Sequence, residues 1–276
     1  MPARIILTLI LLISIPAYAD QEIIENVVYG HKDGMALYYD IYKPAKPNGA
    51  GIISMQSGGW FSRRGRRERL AEWFSSFTDA GYTVFAVYHG SAPRYKVPEA
   101  YADVSRAVRH IRMTAGKIGV DPNRIGVTGG SAGGHLALMV GLDSDEGNKD
   151  APDPVMQSSN RVAVVVAYYP PVDIRPMVGK SLKRFPALDF PKDQAAGISP
   201  ILFVTKDDPP TLLIHGDADK LVIPLNSTAM HKALKDSGVT TELLIVKGGG
   251  HGFRDPQNRA KAGKARLDWF DSYLKK

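Results

Sequence analysis

From Gly51 onward, short apolar runs alternate with segments of helical spacing, and that alternation is what most restricts the fold. Residues 51–55, 82–88, 124–128, 161–168, 211–215 and 242–246 read as strands. Residues 68–80, 98–114, 132–142 and 256–273 read as helices. Strands separated by helices of ten or more residues cannot pair as hairpins. They form a mostly parallel sheet with helices packed on both faces. The run Val162-Ala163-Val164-Val165-Val166 has no polar side, as expected of a strand covered on both faces. Ahead of this series, residues 23–42 alternate around Lys32-Asp33-Gly34 and read as a β-hairpin. The expected architecture is therefore α/β, with a twisted sheet of about eight strands. Ligands in such sheets bind outside the carboxyl ends of the strands, so functional residues should follow strands directly. Two segments have no regular pattern. Residues 143–160 are polar, and residues 170–208 carry Phe185, Leu188 and Phe190 among prolines. Both follow the catalytic side of the sheet and are expected to shape a pocket.

The first residues belong to a different regime. Arg4 precedes an apolar run over 5–15, followed by Ala17-Tyr18-Ala19, a small-x-small cleavage pattern. The run is short of the roughly 20 residues that span a bilayer. Residues 1–19 are thus expected to be a secretory signal peptide, and 20–276 one catalytic domain of a secreted or periplasmic protein with no membrane anchor after cleavage. Cysteine is absent, which excludes disulfides and thiolate metal sites. The formal charge of +7 is partly concentrated in Arg63, Arg64, Arg66, Arg67 and Arg69. These are expected on a solvated helix face. No aromatic interleaving or nucleic-acid motif accompanies them, so no nucleic-acid partner is expected, although such a cluster could face an acidic ligand.

The chemistry is concentrated in Gly129-Gly130-Ser131-Ala132-Gly133-Gly134, which contains G-x-S-x-G between the strand ending at Thr128 and the helix beginning at Ala132. This context is a nucleophile elbow: a tight turn lifts the serine hydroxyl above the sheet at a helix N-terminus. A serine hydroxyl needs a base to take its proton, and the order expected after such an elbow is acid, then histidine. Asp219, in His215-Gly216-Asp217-Ala218-Asp219, lies far enough past its strand to reach a histidine; Asp217 is the nearer competitor and suits a turn-holding role. His251 follows the last strand in Gly248-Gly249-Gly250-His251-Gly252, a loop flexible enough to carry an imidazole over the sheet edge. The oxyanion donors expected are the N–H of Ala132 and those of Gly58 and Gly59, in Gln56-Ser57-Gly58-Gly59-Trp60 after the 51–55 strand. His215 suits a packing or turn role, His135 lies on the helix facing away from the nucleophile, and His31, His89, His110 and His231 have no partnering pattern. No metal-binding spacing is present, so neither a metal nor a cofactor is expected.

Together these residues resemble the α/β-hydrolase esterases and lipases of the hormone-sensitive-lipase and acetyl-xylan-esterase-like kind. The elbow is similar to the family's GGSAGG form, and His215-Gly216-x-x-Asp219-x-x-Val222 to its acid loop. Asp121-Pro122-Asn123-Arg124-Ile125 and Asp207-Asp208-Pro209-Pro210 also look like family segments. There are two departures. Gln56-Ser57 stands where the family's oxyanion loop has His-Gly, and Tyr88-His89-Gly90 replaces a common Tyr-Arg-Leu. The resemblance implies a serine ester hydrolase working through an acyl-enzyme on short-chain acyl or aryl esters, such as acetylated or feruloylated polysaccharide. A serine peptidase of prolyl-oligopeptidase type would use the same three residues. A non-catalytic carbohydrate-binding protein on the same fold is the remaining alternative.

Overall fold

The computed structural model describes residues 22–275; the segment read as a signal peptide lies outside them. Eight strands form one sheet in the order β1-β2-β4-β3-β5-β6-β7-β8. They are β1 (Ile23–Lys32), β2 (Met35–Tyr42), β3 (Gly51–Met55), β4 (Thr83–Val87), β5 (Ile125–Gly130), β6 (Val164–Tyr168), β7 (Thr211–Gly216) and β8 (Thr241–Val246). The β1–β2 hairpin pairs antiparallel with itself and with β4, and every other pairing is parallel. Every residue of β3 and β4 is buried, as a strand covered on both faces requires.

Five helices cover the sheet: α1 (Arg67–Asp79), α2 (Val97–Thr114), α3 (Ala132–Leu142), α4 (Leu225–Asp236) and α5 (Pro256–Leu274). Two apolar cores result. One lies where Ile53, Phe85 and Val127 of the sheet meet α2, α3 and α4; the other lies where Ile52, Val84 and Val164 meet α1 and α5. Helix α4 has no counterpart in the sequence reading. Its buried positions are only Ser227, Met230 and Leu234, so its apolar stripe is too thin to show a period. Topology required it nonetheless, because parallel β7 and β8 can be joined only by a crossover.

The two irregular segments behave differently. Residues 143–160 do not reach the catalytic side, contrary to expectation. Helix α3 carries the chain back to the amino ends of the strands, and the segment packs there on α2. Arg109, buried in α2, pairs with Asp145 (2.5 Å) and donates to the Ser158 carbonyl (2.6 Å). Residues 170–208, in contrast, fold over the carboxyl ends of the strands in a series of 3-10 turns. The arginine cluster also departs from its reading. Arg63, Arg64 and Arg66 precede α1 rather than lying on it, and Arg64 turns inward to the fully buried Asp40 (2.6 Å), stacking over Tyr38.

Candidate active site

The turn after β5 is strained where the sequence places its serine. Ser131 has φ +56° and ψ −120°, a conformation that costs a non-glycine residue energy and persists only when its surroundings enforce it. Here the enforcement is explicit. The Ser131 N–H donates to the Tyr168 carbonyl (2.9 Å), and the His135 N–H donates to the Ser131 carbonyl (2.9 Å). The flanking glycines are steric necessities: a Cβ on Gly129 would sit 2.3 Å from the Gly133 carbonyl oxygen, and one on Gly133 would sit 2.7 Å from that of Met55. Ser131 thereby stands at the N-terminus of α3, where the peptide dipoles favour negative charge.

Asp219 and His251 arrive from the loops after β7 and β8. His251 Nδ1 donates to Asp219 Oδ2 (2.7 Å), while Asp219 Oδ1 accepts the Leu221 and Val222 N–H groups (2.8 and 3.0 Å). Three donors therefore fix a carboxylate that is almost wholly buried. The two loops are held against each other by Asp217, whose Oδ1 accepts the Gly248 N–H (2.6 Å), the turn-holding role its position suggested. Behind them His215 is fully buried. Its Nε2 donates to the Val222 carbonyl (2.8 Å), its Nδ1 accepts from Ser227 (2.7 Å), and burial lowers its pKa.

No hydrogen bond joins the Ser131 hydroxyl to His251 among the described residues. Beside His251 and the elbow stands Tyr169, which sequence reasoning missed. Its ring centroid lies 4.5 Å from that of His251, and its hydroxyl lies 2.9 Å from where a Cβ on Gly130 would stand. Burial raises the Tyr169 pKa to about 12, so it stays a neutral phenol between the imidazole and the elbow. Its placement directly after β6, at the ligand-binding end of the sheet, was the available signal.

The loop after β3 supplies the third part. The Gly58 N–H is already committed to the Phe61 carbonyl (3.0 Å), so it is not a free oxyanion donor as the sequence suggested. The N–H groups of Gly59 and Ala132 make no hydrogen bond of their own among the described residues. The Gly59 backbone is left-handed at φ +58°, with the Phe185 ring 3.2 Å from where its Cβ would be. The loop is tied down on several sides. The Ser57 carbonyl accepts the Gly133 N–H (3.2 Å), and Ser62 donates to the Gln56 carbonyl (2.7 Å). His89 Nδ1 donates to the Gly90 carbonyl (2.8 Å), which leaves Nε2 to accept from the Ser57 hydroxyl (2.8 Å). His135, wholly buried on α3, donates through Nε2 to the Ile198 carbonyl (2.7 Å) and accepts weakly from the Trp60 indole (3.4 Å). Burial pushes both imidazoles down to about 4, so both are neutral braces. Among the described residues, no group of three His, Cys, Asp or Glu side chains could hold a metal ion.

The BD-FAE family model matches residues 39–234 of this chain. Esterase LipQ of Mycobacterium tuberculosis (strain ATCC 25618 / H37Rv) is 29% identical over 201 residues, covering 69% of this chain and 47% of LipQ. The chain thus spans about half the length of that relative. A truncated carbohydrate esterase from gut microbiota superimposes with a TM-score of 0.78 at 26% identity, over 95% of this chain and 99% of that one. An acetyl ester-xyloside bifunctional hydrolase from Caldicellulosiruptor lactoaceticus does so with a TM-score of 0.74 at 31% identity, over 88% and 90%. The mostly parallel α/β sheet read from the alternating strands and helices, and the α/β-hydrolase fold that the resemblance implied, agree with these structural neighbours.

Proposed function

The chain belongs to the BD-FAE family, and we propose that it hydrolyses carboxylic esters through an acyl-enzyme on Ser131. The observation that carries this reading is the strained serine at φ +56° on a strand-to-helix turn, together with an imidazole from a neighbouring strand-end loop whose Nδ1 is held by a buried carboxylate. Because Nδ1 of His251 carries its proton toward Asp219, Nε2 is the free base. As the Ser131 oxygen bonds to the ester carbonyl carbon, its proton passes to Nε2, and Asp219 stabilises the imidazolium. The carbonyl oxygen, now an anion, accepts from the N–H groups of Gly59 and Ala132. The carbon–oxygen bond to the alcohol then breaks, with the alkoxide taking the proton from Nε2. Water repeats the sequence on the acyl-serine and releases the acid. The residues themselves supply every step, so no metal or cofactor is required.

The substrates proposed are short-chain acyl or aryl esters such as those of acetylated or feruloylated polysaccharide. Support comes from the names of the similar structures, a carbohydrate esterase and an acetyl ester-xyloside hydrolase. The basic, apolar start that ends in Ala17-Tyr18-Ala19 supports export of the mature chain to the periplasm or beyond. Ser131→Ala should abolish both hydrolysis of p-nitrophenyl acetate and labelling by a fluorophosphonate. Retention of either would remove Ser131 from the mechanism.

A further inference from the structure

We propose that the groove between α1 and α5 binds a uronate-bearing saccharide, with its carboxylate against Arg266 and a sugar face against Trp73. The groove is a cavity of about 1140 Å³, walled by Trp73, Ser75 and Ser76 on one side and by Arg259, Gly263 and Arg266 on the other. That volume is slightly above the roughly 300–1000 Å³ of small-molecule sites, enough for an oligosaccharide rather than a bare ion.

The argument begins with Arg266, a buried guanidinium with no acidic partner among the described residues. Its Nη2 makes one long contact to Ser76 Oγ (3.3 Å), its Nε has no acceptor, and its charge rests over the Phe77 ring at 4.0 Å. Other shielded cations in this chain have carboxylates or several backbone carbonyls to answer them: Arg112 donates to the Pro122 and Arg161 carbonyls, and Arg124 to those of Leu274 and Asn48. Arg109 has Asp145 (2.5 Å), Arg64 has Asp40 (2.6 Å) and Lys32 has Asp103 (2.6 Å). A charge withdrawn from water without a counter-charge is costly, and one weak hydrogen bond with a ring face offsets only part of that cost. A ligand carboxylate entering the cavity would supply what is missing.

Two further features point to a hydroxylated, anionic ligand. Arg63 and Arg259 also line the cavity, with no acidic partners among the described residues, against the single carboxylate of Glu72; Lys264 is already paired with Asp268 (2.6 Å). Trp73 stands 58% exposed among the lining residues and offers a flat apolar face. The groove also meets the candidate active site. Gly58 of the oxyanion loop, Gly130 before the serine and Gly252 after the histidine all line it, whereas Ser131 and His251 do not. A chain lying in the groove would present a more remote unit to the nucleophile. That role rests on the ester-hydrolase reading; the binding itself does not.

Trp73 provides the assay, because the other two tryptophans, Trp60 and Trp269, are 2% and 7% exposed. Its fluorescence is titrated at low ionic strength with methyl β-glucuronide, methyl β-glucoside and sodium acetate, with no ester present. The expected result is binding of the glucuronide at least about tenfold tighter than either control. Arg266→Gln and Arg259→Gln should each weaken the glucuronide about fivefold or more and leave the glucoside unchanged. Should the Arg266 variant fail to fold by circular dichroism, Arg259→Gln and Arg63→Gln, both at exposed positions, decide the matter. Equal affinity for glucuronide and glucoside, acetate competing as well as glucuronide, or no binding up to about 50 mM would each overturn the proposal. Any of these can occur while ester turnover stays intact, so the two readings fail separately.

Discussion

The hydroxyl of Ser57 is a small group with a large expected effect. It donates to Nε2 of His89, an imidazole 5% exposed whose other nitrogen is committed to the Gly90 carbonyl. Ser57→Ala therefore strips from a buried acceptor the only donor it has among the described residues. Leaving such an acceptor unsatisfied costs about 1–3 kcal/mol, more than the net worth of the hydrogen bond itself. The next residues carry the Gly59 N–H, so part of that loss should appear as disorder in the oxyanion donor. Complete loss of one such donor lowers kcat by about 10²–10³. Here the loop remains tied through the Ser57 carbonyl to Gly133 and through Ser62 to Gln56. A partial loss is expected, about 5- to 30-fold in kcat, or roughly 1–2 kcal/mol of barrier. KM should change by less than about twofold, because the donors act mainly on the transition state. Initial rates on p-nitrophenyl acetate measure the first effect, and urea unfolding measures the stability. Ser57→Thr keeps a hydroxyl and should recover most of the lost rate. If Ser57→Ala lost stability at unchanged kcat, the brace would be purely structural; if neither changed, the hydrogen bond would be of no consequence.

Other outcomes follow from the same geometry. Asp219→Asn keeps an acceptor for the Leu221 and Val222 N–H groups and should fold, yet lower kcat by about 10⁴ in steady-state assays, because the base loses its oriented tautomer. Ser131→Gly removes the steric strain of a side chain at φ +56° and should raise stability by about 1 kcal/mol in urea titrations while abolishing turnover. Acid should weaken the fold before the carboxylates protonate. His89 and His135 titrate near 4 in the folded chain against 6.5 when unfolded, so between those values the unfolded chain binds protons that the native one refuses. Their stabilisation is full above pH 6.5 and is lost as pH falls toward 4, with at most roughly 3–4 kcal/mol at stake per imidazole. A urea midpoint that stayed constant from about pH 7 to about 4.5 would show that the two rings are not sealed from water.

What was legible in the chain is what local pattern encodes. A continuous apolar run implies a doubly covered strand, a glycine-flanked serine between strand and helix implies a forced turn, and the order of loops after β5, β7 and β8 anticipates the contact of Asp219 with His251. What was not legible depends on partners distant in sequence. Helix α4 hides behind a stripe of Met230 and Leu234, with Ser227 spent on His215. Arg64 reads as one of five basic surface residues until Asp40, two strands earlier, draws it inward. The Gly58 amide reads as a free donor until Phe61 folds back onto it.

The oxyanion loop makes the distinction sharpest. Gln56-Ser57 and Tyr88-His89-Gly90 are two departures from the family pattern, each visible alone and each without evident purpose. Parallel pairing of β3 with β4 brings their carboxyl ends together, Met55 opposite Val87, so the residues just beyond must face each other. There the Ser57 hydroxyl meets the His89 imidazole at 2.8 Å, while the nearby Ser62 hydroxyl accepts the His89 backbone N–H (3.1 Å). The imidazole absent from the first loop is thus present on the second and reaches the first through the Ser57 hydroxyl, from the neighbouring strand. Residue types compared one position at a time register two losses, whereas strand register turns them into one exchange. The expected rescue by Ser57→Thr follows from this, because only the hydroxyl has to meet the ring.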